Sequence, residues 1–384
     1  MSLVRPTPEE GFDLSVPILV VGSGAAGMIA ALAAKDRGGE VLLLEADAIP
    51  SGSTALSAGL IPAAGTRFQR SLGIDDSADV FSEDIQTKAK GENPDHLVYR
   101  LANDAGPTIE WLADRFGFPF SVVSDFDYPG HSRRRMHGLP SRSGRELVDR
   151  LRATCEAEGI DIVCERRAET LFVDDDLITG AEVATPDGTE RVGCDALILA
   201  CNGFGGNRAM VGTYMPEIED AVWFGHSGNQ GDAVLWGEAL GAKSLHLGAY
   251  QGHGNVAHPH GILITWAVIT EGGVQVNSEG QRFWDESQGY SEAARFVLAQ
   301  PNGIAWTIFD ERIAAIARQF QDFKDAESAG AIRTAESLDA LADACDLDRA
   351  ALVRSVAQTE EPGPDAFGRT FGETSLAPPY HAVK

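Results

Sequence analysis

Residues 17–46 constrain the fold of this chain more than any other segment. An apolar run (residues 18–21) leads into Gly22-Ser-Gly24-Ala-Ala-Gly27, a helical pattern follows, and a second apolar run ends at Glu45. Glycine at these three positions allows a tight turn, close approach of the backbone to a pyrophosphate, and close packing of helix on strand. The segment predicts a β-α-β unit that binds a dinucleotide. The alternative is a turn in which the glycines are structural only.

Two further features of this unit suit a dinucleotide. The N-terminus of the predicted helix presents unpaired amides to an anion. Glu45 follows Gly22 by 23 residues, a spacing at which a carboxylate can accept hydrogen bonds from ribose hydroxyls. The flanking strands and the acidic residue make the glycine pattern far more specific than it would be alone.

The composition narrows the class of protein. With 384 residues, 43% of them hydrophobic, the chain can form two domains. A net charge of −26, with no basic run longer than residues 133–135, argues against a nucleic-acid partner. The sequence shows no long apolar segment and no signal peptide, and its five cysteines form no metal pattern. We therefore expect no membrane segment, no metal site and a cytoplasmic location.

Periodicity and turn residues predict the remaining organisation. We expect helices over residues 77–90, 95–116 and 143–159, strands over 160–163, 170–173, 178–183, 196–201 and 273–277, and mostly helix from 291 to 358. The basic, glycine-containing segment 128–138 is predicted to be a solvated loop. A substrate role for its His131 or His137 is the less favoured alternative.

Several segments together resemble the fumarate reductase/succinate dehydrogenase flavoprotein family. They read, in order, VVGSGAAG, LLLEAD, GSTALSAG, LILACNGFGGN, GNQGDA and GGVQVNSEGQRFWDES. The resemblance implies an α/β fold in which a Rossmann-type FAD-binding domain, a parallel sheet with helices, is interrupted by an α+β capping domain. It places the FAD domain at residues 1–245, the capping or substrate domain at 246–376, and the start of the return to the FAD domain at 377–384.

The resemblance also implies which residues hold FAD. Ala26 and Glu45 would contact the ADP half, Ala168 the adenine, and Asp232 the ribityl region. The family's paired glycine at a strand end is Asn202-Gly203 in this chain. Because no histidine lies near Thr54 in the sequence, FAD is expected to be non-covalent. The implied cofactor-binding set is Gly22, Gly24, Ala26, Gly27, Glu45, Ser53, Thr54, Ala58, Gly59, Ala168, Asn202, Gly203 and Asp232.

The implied catalytic residues lie in the second half of the chain. Soluble fumarate reductases carry a substrate histidine followed 12 residues later by threonine, which matches His253 and Thr265. Eight residues after Arg282 they place a proton-donating arginine, and this chain has Tyr290. A tyrosine there is similar to the 3-ketosteroid dehydrogenases, in which it removes a proton. The alternatives are a structural turn histidine and a half-buried core aromatic.

These residues lead to one functional hypothesis and its rivals. We expect an FAD-dependent oxidoreductase acting on a CH–CH bond next to a carbonyl or carboxylate, with proton transfer through Tyr290. The substrate would be a small carboxylate or ketone, or a bulky ketone as in the 3-ketosteroid dehydrogenases, and the electron acceptor is unknown. An NAD-dependent enzyme is disfavoured by Ser53-Thr54 and Asp232.

The end of the chain raises a further alternative. Residues 377–384 resemble the point where the family chain returns to its FAD domain, and the later substrate histidine, substrate arginine and GLYAAGE-like flavin loop are not found in this sequence. The expectation is therefore a chain lacking its C-terminal segment and catalytically impaired. In the limit it would be an FAD-binding remnant with little catalysis.

Overall fold

The computed structural model describes residues 3–360, 362–372 and 374–384. No helix in these described residues is both long enough and apolar enough to cross a membrane. The β-strands are β1 (Val4–Pro6), β2 (Leu14–Val21), β3 (Val41–Leu44), β4 (Ile61–Pro62), β5 (Ser121–Val122), β6 (Met136–Gly138), β7 (Asp161–Val163), β8 (Arg167–Asp174), β9 (Leu177–Thr185), β10 (Gly188–Leu199), β11 (Val256–Ala257), β12 (Ile262–Leu263), β13 (Val274–Val276), β14 (Trp306–Asp310), β15 (Ile332–Ala335) and β16 (Tyr380–Val383).

Several helices begin at a residue whose side chain caps the first turn. Ser77 accepts a hydrogen bond from the Val80 amide before α3, and Asp310 accepts one from the Ile313 amide before α10. Gly117, at φ 72°, ends α4. The α-helices are α1 (Ala25–Asp36), α2 (Arg67–Ser71), α3 (Ala78–Lys88), α4 (Asp95–Phe116), α5 (Gly144–Ala157), α6 (Arg208–Tyr214), α7 (Asp232–Ala239), α8 (Ala267–Thr270), α9 (Tyr290–Leu298), α10 (Glu311–Ala317), α11 (Gln321–Ser328), α12 (Leu338–Cys345) and α13 (Arg349–Ala357).

The chain divides into two compact units, and the first comprises residues 1–59 and 144–249. Its seven-stranded sheet has the order β1-β8-β9-β10-β2-β3-β7. The strands β10, β2, β3 and β7 are parallel, and Val21 lies opposite both Leu44 and Leu199. The carboxyl ends of β10, β2 and β3 therefore meet at one edge of the sheet, which brings the glycine turn, Glu45 and residues 200–202 together.

The core of the first unit explains the continuous apolar runs at the end of β2 and in β3. Parallel strands covered on both faces bury every side chain, so hydrophobic residues do not alternate with polar ones. Leu19, Val20 and Leu43 are fully buried, and Trp236 of α7 packs in the same cluster as Leu19. The predicted β-α-β unit is thus present as β2, α1 and β3.

The second unit comprises residues 60–143 and 250–384 and is built on small antiparallel sheets. The largest has the order β13-β14-β16-β15, and the others are β4-β6-β5 and β11-β12. Every residue of β14 is buried. Together with the Rossmann-type first unit, these sheets give the expected architecture of an FAD-binding fold with an additional α+β part.

The boundaries differ from the expected domains in two places. Residues 60–143 belong to the second unit rather than to the first. Strand β16, which lies in the segment expected to start the return to the FAD domain, pairs with β14 and β15 of the second unit. Strands β14 and β15 also interrupt the segment predicted to be mostly helical. Strand β14 is short and buried throughout, so its residues have no period that separates strand from helix. Strand β15 is partly exposed and pairs with β16, a contact that its local sequence does not indicate.

The prediction of a solvated loop over residues 128–138 is wrong for its second half. Arg135 and His137 are fully buried, and β6 pairs with β4 and β5. Arg135 forms ion pairs with Asp76 at 3.0 Å and Asp84 at 2.5 Å. The Nε2 atom of His137 lies 2.8 Å from the Thr66 hydroxyl. Paired carboxylates make this burial of charge tolerable, and His137 has a structural role there.

Candidate functional site

A cleft of about 440 Å³ lies in the first unit at the carboxyl ends of β2, β3 and β10. The position is the one where open α/β sheets bind ligands. Nine of the residues expected to bind the cofactor line it, namely Gly22, Gly24, Ala26, Glu45, Ser53, Thr54, Ala168, Asn202 and Asp232. The cleft is therefore formed largely by the residues that the sequence indicated.

The three glycines of the turn differ in whether neighbouring protein atoms leave room for a side chain. A Cβ on Gly22 would lie 2.6 Å from the Ala200 carbonyl oxygen, and one on Gly27 would lie 1.9 Å from the Gly22 carbonyl oxygen. A Cβ on Gly24 would meet only the Thr54 hydroxyl, at 3.5 Å. Protein contacts thus require Gly22 and Gly27. The free side of Gly24 faces the cleft, which fits close approach of a ligand to the backbone.

The N-terminus of α1 supplies donors to this cleft. The Thr54 hydroxyl accepts a hydrogen bond from the Ala25 amide at 3.1 Å. Ala26 occupies the second helical position, where an amide has no acceptor inside the helix, and it is exposed in the cleft. A pyrophosphate would accept from such an amide and gain from the positive end of the helix dipole.

Glu45 is buried at the end of β3, and its carboxylate organises the turn. One oxygen accepts from the amide of Ser23 at 3.0 Å and also from its hydroxyl. The other oxygen accepts from the Asp47 amide at 3.0 Å. Three of roughly four lone-pair positions are therefore occupied, which leaves one for a ribose hydroxyl.

Ser53 binds the opposite wall of the cleft. Its hydroxyl oxygen accepts from the His226 amide and from the Asn229 side-chain amide, both at 3.0 Å. A hydroxyl that accepts two hydrogen bonds still carries its own proton. Ser53 thus retains a donor for a ligand in the cleft. Its partners His226 and Asn229 were not among the site residues expected from the sequence.

Asp232 and Asn202 complete the lining. Asp232 begins α7 and pairs with Arg167 at 2.7 Å, so its charge is already balanced by a cation that the sequence did not indicate. Asn202 has φ 68°, and its side-chain oxygen accepts from the Gly203 amide at 2.8 Å. Asparagine tolerates this left-handed conformation, which explains how it can stand where the family has glycine.

Four residues of the expected cofactor set do not line the cleft. Gly27 is buried under the turn, where it allows α1 to pack against β2. Gly59 is buried, and its amide donates a hydrogen bond to the Ser57 hydroxyl. Ala58 lies between these two residues in the chain. The carbonyl oxygen of Gly203 accepts from the Gly231 amide at 3.0 Å. These positions support the lining residues in this structure, and contact with cofactor remains a prediction for them.

The expected catalytic residues come together within the second unit. The Tyr290 ring stacks on the His253 ring with centroids 5.2 Å apart, and Trp266 lies edge-on to both at 6.1 Å and 6.3 Å. Thr265 adjoins Trp266 in the chain and hydrogen-bonds with the Tyr128 side chain. Sequence reasoning missed Tyr128, since it lies in the segment predicted to be a loop.

The three ionisable residues of this cluster, His253, Tyr290 and Tyr128, are held in their neutral forms, and burial raises the pKa of Tyr128. Burial lowers the pKa of His253 to about 4, and the His253 Nδ1 atom accepts from the Asn255 amide at 3.2 Å. Burial and then the nearby Glu292 carboxylate raise the pKa of Tyr290 above its usual value of about 10. The Tyr290 hydroxyl accepts from the Gln251 side-chain amide at 3.2 Å.

Two arginines near Tyr290 in the sequence are engaged elsewhere. Arg282 is buried and pairs with Glu286 at 2.6 Å and with Asp365. Arg295 lies 5.1 Å from the centre of the Phe296 ring. Neither of these contacts involves the Tyr290 hydroxyl. The Tyr290 hydroxyl accepts from the neutral Gln251 side chain, and the charged group that acts on its pKa is the Glu292 carboxylate.

Known proteins resemble this chain along nearly its whole length. It is 32% identical over 378 residues to the probable fumarate reductase Ifc3 of Shewanella frigidimarina (strain NCIMB 400), covering 96% of this chain and 63% of that protein. It resembles the open conformation of a flavocytochrome c3 fumarate reductase, with a TM-score of 0.79 and 29% identity over 97% of this chain and 67% of that one.

A third similarity concerns the fold alone. The 3-ketosteroid-Δ4-(5α)-dehydrogenase from Rhodococcus jostii RHA1, in complex with 4-androstene-3,17-dione, superposes with a TM-score of 0.70 at 22% identity, over 99% of this chain and 85% of that one. The chain spans less than two thirds of the length of the probable fumarate reductase.

The residues of the cleft fit an FAD cofactor. Gly24 leaves its open side to the ligand, Ala26 offers an amide to the pyrophosphate, and Glu45 retains one acceptor for a ribose hydroxyl. The family described as FAD binding domain matches residues 17–384. The chain therefore belongs to the FAD binding domain family.

Proposed function

We propose that this chain is an FAD-dependent oxidoreductase that acts on a carbon–carbon bond next to a carbonyl group. The observation that carries the proposal is the stack of Tyr290 on His253, edge-on to Trp266. FAD supplies hydride transfer when it is bound. The chain itself must bind the carbonyl and move one proton, and this cluster has groups for both tasks.

His253 and Thr265 are proposed to hold the carbonyl. Because the Nδ1 atom of His253 accepts from the Asn255 amide, the proton of the neutral ring belongs on Nε2. A neutral imidazole with Nε2–H donates one hydrogen bond to a carbonyl oxygen without losing its proton. Its low pKa keeps this donor form dominant throughout the physiological range.

Tyr290 is proposed to transfer the proton. Its raised pKa keeps the phenol protonated near neutral pH, so Tyr290 is ready to donate a proton to carbon in the reductive direction. Removal of a proton in the dehydrogenase direction requires the tyrosinate, which the Gln251 amide favours by donating to the oxygen. The same residue thus serves both directions.

The aromatic rings around Tyr290 and the nearby Glu292 carboxylate favour a ketone over a dicarboxylate. Tyr290 stands where the resemblance places an arginine in fumarate reductases, and the apolar side chains of Trp266 and Ile269 are buried in the same unit. Aromatic rings and neutral donors recognise an apolar ketone with little desolvation cost, whereas two carboxylates need compensating cations. A bulky cyclic ketone, like those of the 3-ketosteroid dehydrogenases, is the more specific candidate.

Reoxidation of reduced flavin tests this proposal. We expect chemically reduced, FAD-loaded protein to be reoxidised under anaerobic conditions by 2-cyclohexenone faster than by fumarate, as followed by visible flavin absorbance. Faster reoxidation by fumarate would contradict the ketone assignment. FAD-loaded protein that reacts with neither would favour an FAD-binding polypeptide without catalysis.

Two lesser expectations belong to the same proposal. FAD is held non-covalently, since His226, which lies against Ser53, has both ring nitrogens engaged by other protein groups. Acid precipitation should then leave the flavin in the supernatant, and a yellow pellet would contradict it. The cysteines of the described residues are all unpaired, which fits a reducing compartment such as the cytoplasm.

A further inference from the structure

One wall of the FAD cleft is an irregular segment, residues 222–230, which we call the rim loop. Three of its residues, His226, Gly228 and Asn229, line the cleft. The ring of Trp223, within this loop, packs directly on Gly205 and Gly225, since a Cβ on either glycine would lie 2.1 Å from the ring. The Trp223 indole N–H donates to the His226 carbonyl oxygen at 3.1 Å. The Trp223 side chain thus packs along the rim loop and supports the backbone at His226.

Every polar atom of the His226 side chain has a partner. The ring Nδ1 accepts from the Gly228 amide at 3.0 Å, and the ring Nε2 lies 2.5 Å from a carboxylate oxygen of Asp47. Because Nδ1 is an acceptor, the proton of the neutral ring is on Nε2 and is donated to Asp47. His226 therefore joins the turn of the rim loop to a charged acceptor.

Asp47 belongs to the other wall of the cleft. It follows β3, and its amide donates to Glu45, the residue expected to bind the ribose. Its carbonyl oxygen accepts from the Glu165 amide at 3.0 Å, which fixes the segment at the end of β7. The carboxylate of Asp47 is thus attached to rigid backbone, so it is a firm anchor for the rim loop.

We propose that His226 and Asp47 form a clasp that holds the rim loop against the end of β3 and slows release of FAD. The clasp rests on the FAD site described above and on no assumption about catalysis. A hydrogen bond to a charged acceptor is stronger than one between neutral groups, and this one links two walls of the same cleft. His226 and Asp47 are positioning residues, since they act on the cofactor through the rim loop.

Four variants of the FAD-loaded protein separate the clasp from a general loss of structure. His226→Asn keeps an acceptor for the Gly228 amide but is too short to reach Asp47, and Asp47→Ala removes the other partner. His226→Gln restores a donor toward Asp47. His246→Asn is the matched control, because His246 is exposed in the same unit at φ 55°, where asparagine is tolerated.

The readout is the rate of FAD release, measured from the rise of free-flavin fluorescence after dilution. We expect His226→Asn and Asp47→Ala each to accelerate release by about 5- to 30-fold, allowing for the partial exposure of the pair. The double variant should release FAD no faster than either single variant, because both remove one contact. His226→Gln should restore slow release, and His246→Asn should leave the rate unchanged.

Two outcomes would overturn the clasp. One is that His226→Asn and Asp47→Ala release FAD at the same rate as the unchanged protein. The other is a double variant whose acceleration equals the product of the single effects, since independent effects exclude a shared contact.

Discussion

The FAD cleft of the first unit and the Tyr290 cluster of the second unit are constructed in different ways. The cleft is formed at the ends of adjacent parallel strands, largely by backbone amides and glycines. The Tyr290 cluster is formed by side chains from three segments that are far apart in the chain, around residues 128, 253–266 and 290. A site built from the backbone of one turn is therefore encoded by a compact sequence motif. A site built from side chains of distant segments is not encoded by a compact motif.

The two regions also differ in electrostatics. The cleft contains ions and dipoles that are already paired, such as Glu45 with the Ser23 amide and Asp232 with Arg167. The Tyr290 cluster keeps its ionisable residues neutral, since burial lowers the pKa of His253 and raises that of Tyr290. Substitutions in the cleft should therefore change FAD binding through backbone geometry and charge. Substitutions in the Tyr290 cluster should change reactivity through the gain or loss of one proton.

The largest effect is expected for Gly27→Ala, which tests whether the cleft depends on backbone packing. The added methyl would lie 1.9 Å from a buried carbonyl oxygen, so we expect a loss of about 3 kcal/mol or more in the stability of the apoprotein. Gly24→Ala is the matched control, since its methyl meets nothing closer than 3.5 Å. It should keep the melting temperature but weaken FAD binding. Equal destabilisation by both variants would contradict the distinction.

Tyr290→Phe tests whether the second region depends on a single hydroxyl. The ring and its stack on His253 remain, so flavin reactivity with substrate should fall by about 10²- to 10⁴-fold while FAD binding is unchanged. Stopped-flow absorbance measures the first and flavin fluorescence the second. Tyr99→Phe, at an exposed position of α4, should have no effect. An unchanged rate in Tyr290→Phe would return this residue to a structural role.

Glu45→Gln tests the charge in the cleft without changing its shape. A charge-assisted hydrogen bond contributes about 1.5–3 kcal/mol, so FAD should bind roughly 10- to 100-fold more weakly in a fluorescence titration. Glu169→Gln, on an exposed position of β8, provides the control. If both variants bind FAD as tightly as the unchanged protein, the carboxylate is needed only to fold the turn around Ser23.

The smallest effect is the dependence of stability on pH that arises from His253. Its folded-state pKa of about 4 lies below the ordinary 6.5, so in this interval the unfolded chain binds a proton that the folded chain does not. Stability should therefore fall on acidification from pH 6.5 to 4, by about 1–2 kcal/mol after allowance for its partial exposure. His253→Gln should reduce this slope in urea unfolding, whereas exposed His96→Gln should not. An unchanged slope in His253→Gln would show that other groups cause it.

The sequence predicted local structure well where local chemistry dictates it. Helix α4 has the predicted bounds, residues 95–116. The failures lie where long-range contacts decide. The burial of Arg135 and His137 depends on Asp76, Asp84 and Thr66, and no local pattern indicates such partners.

The same division between local motifs and long-range contacts holds for the candidate site residues. Ser53 and Asp232 were indicated by short motifs, but their partners His226 and Arg167 were not, because each partner is more than 60 residues away in the chain. Tyr128 lies 162 residues before Tyr290 and has no motif of its own. Contacts of this kind arise only after the chain has folded.

By itself the sequence determined the β-α-β unit, the glycine turn and the acidic end of β3, because each follows from the backbone freedom of glycine and from the period of apolar residues. Tertiary structure alone decided that residues 60–143 join the second unit, that Arg282 is taken by Glu286, and that Tyr290 stacks on His253. The physical reason is that side-chain partners are chosen by packing between distant segments, which local sequence does not encode.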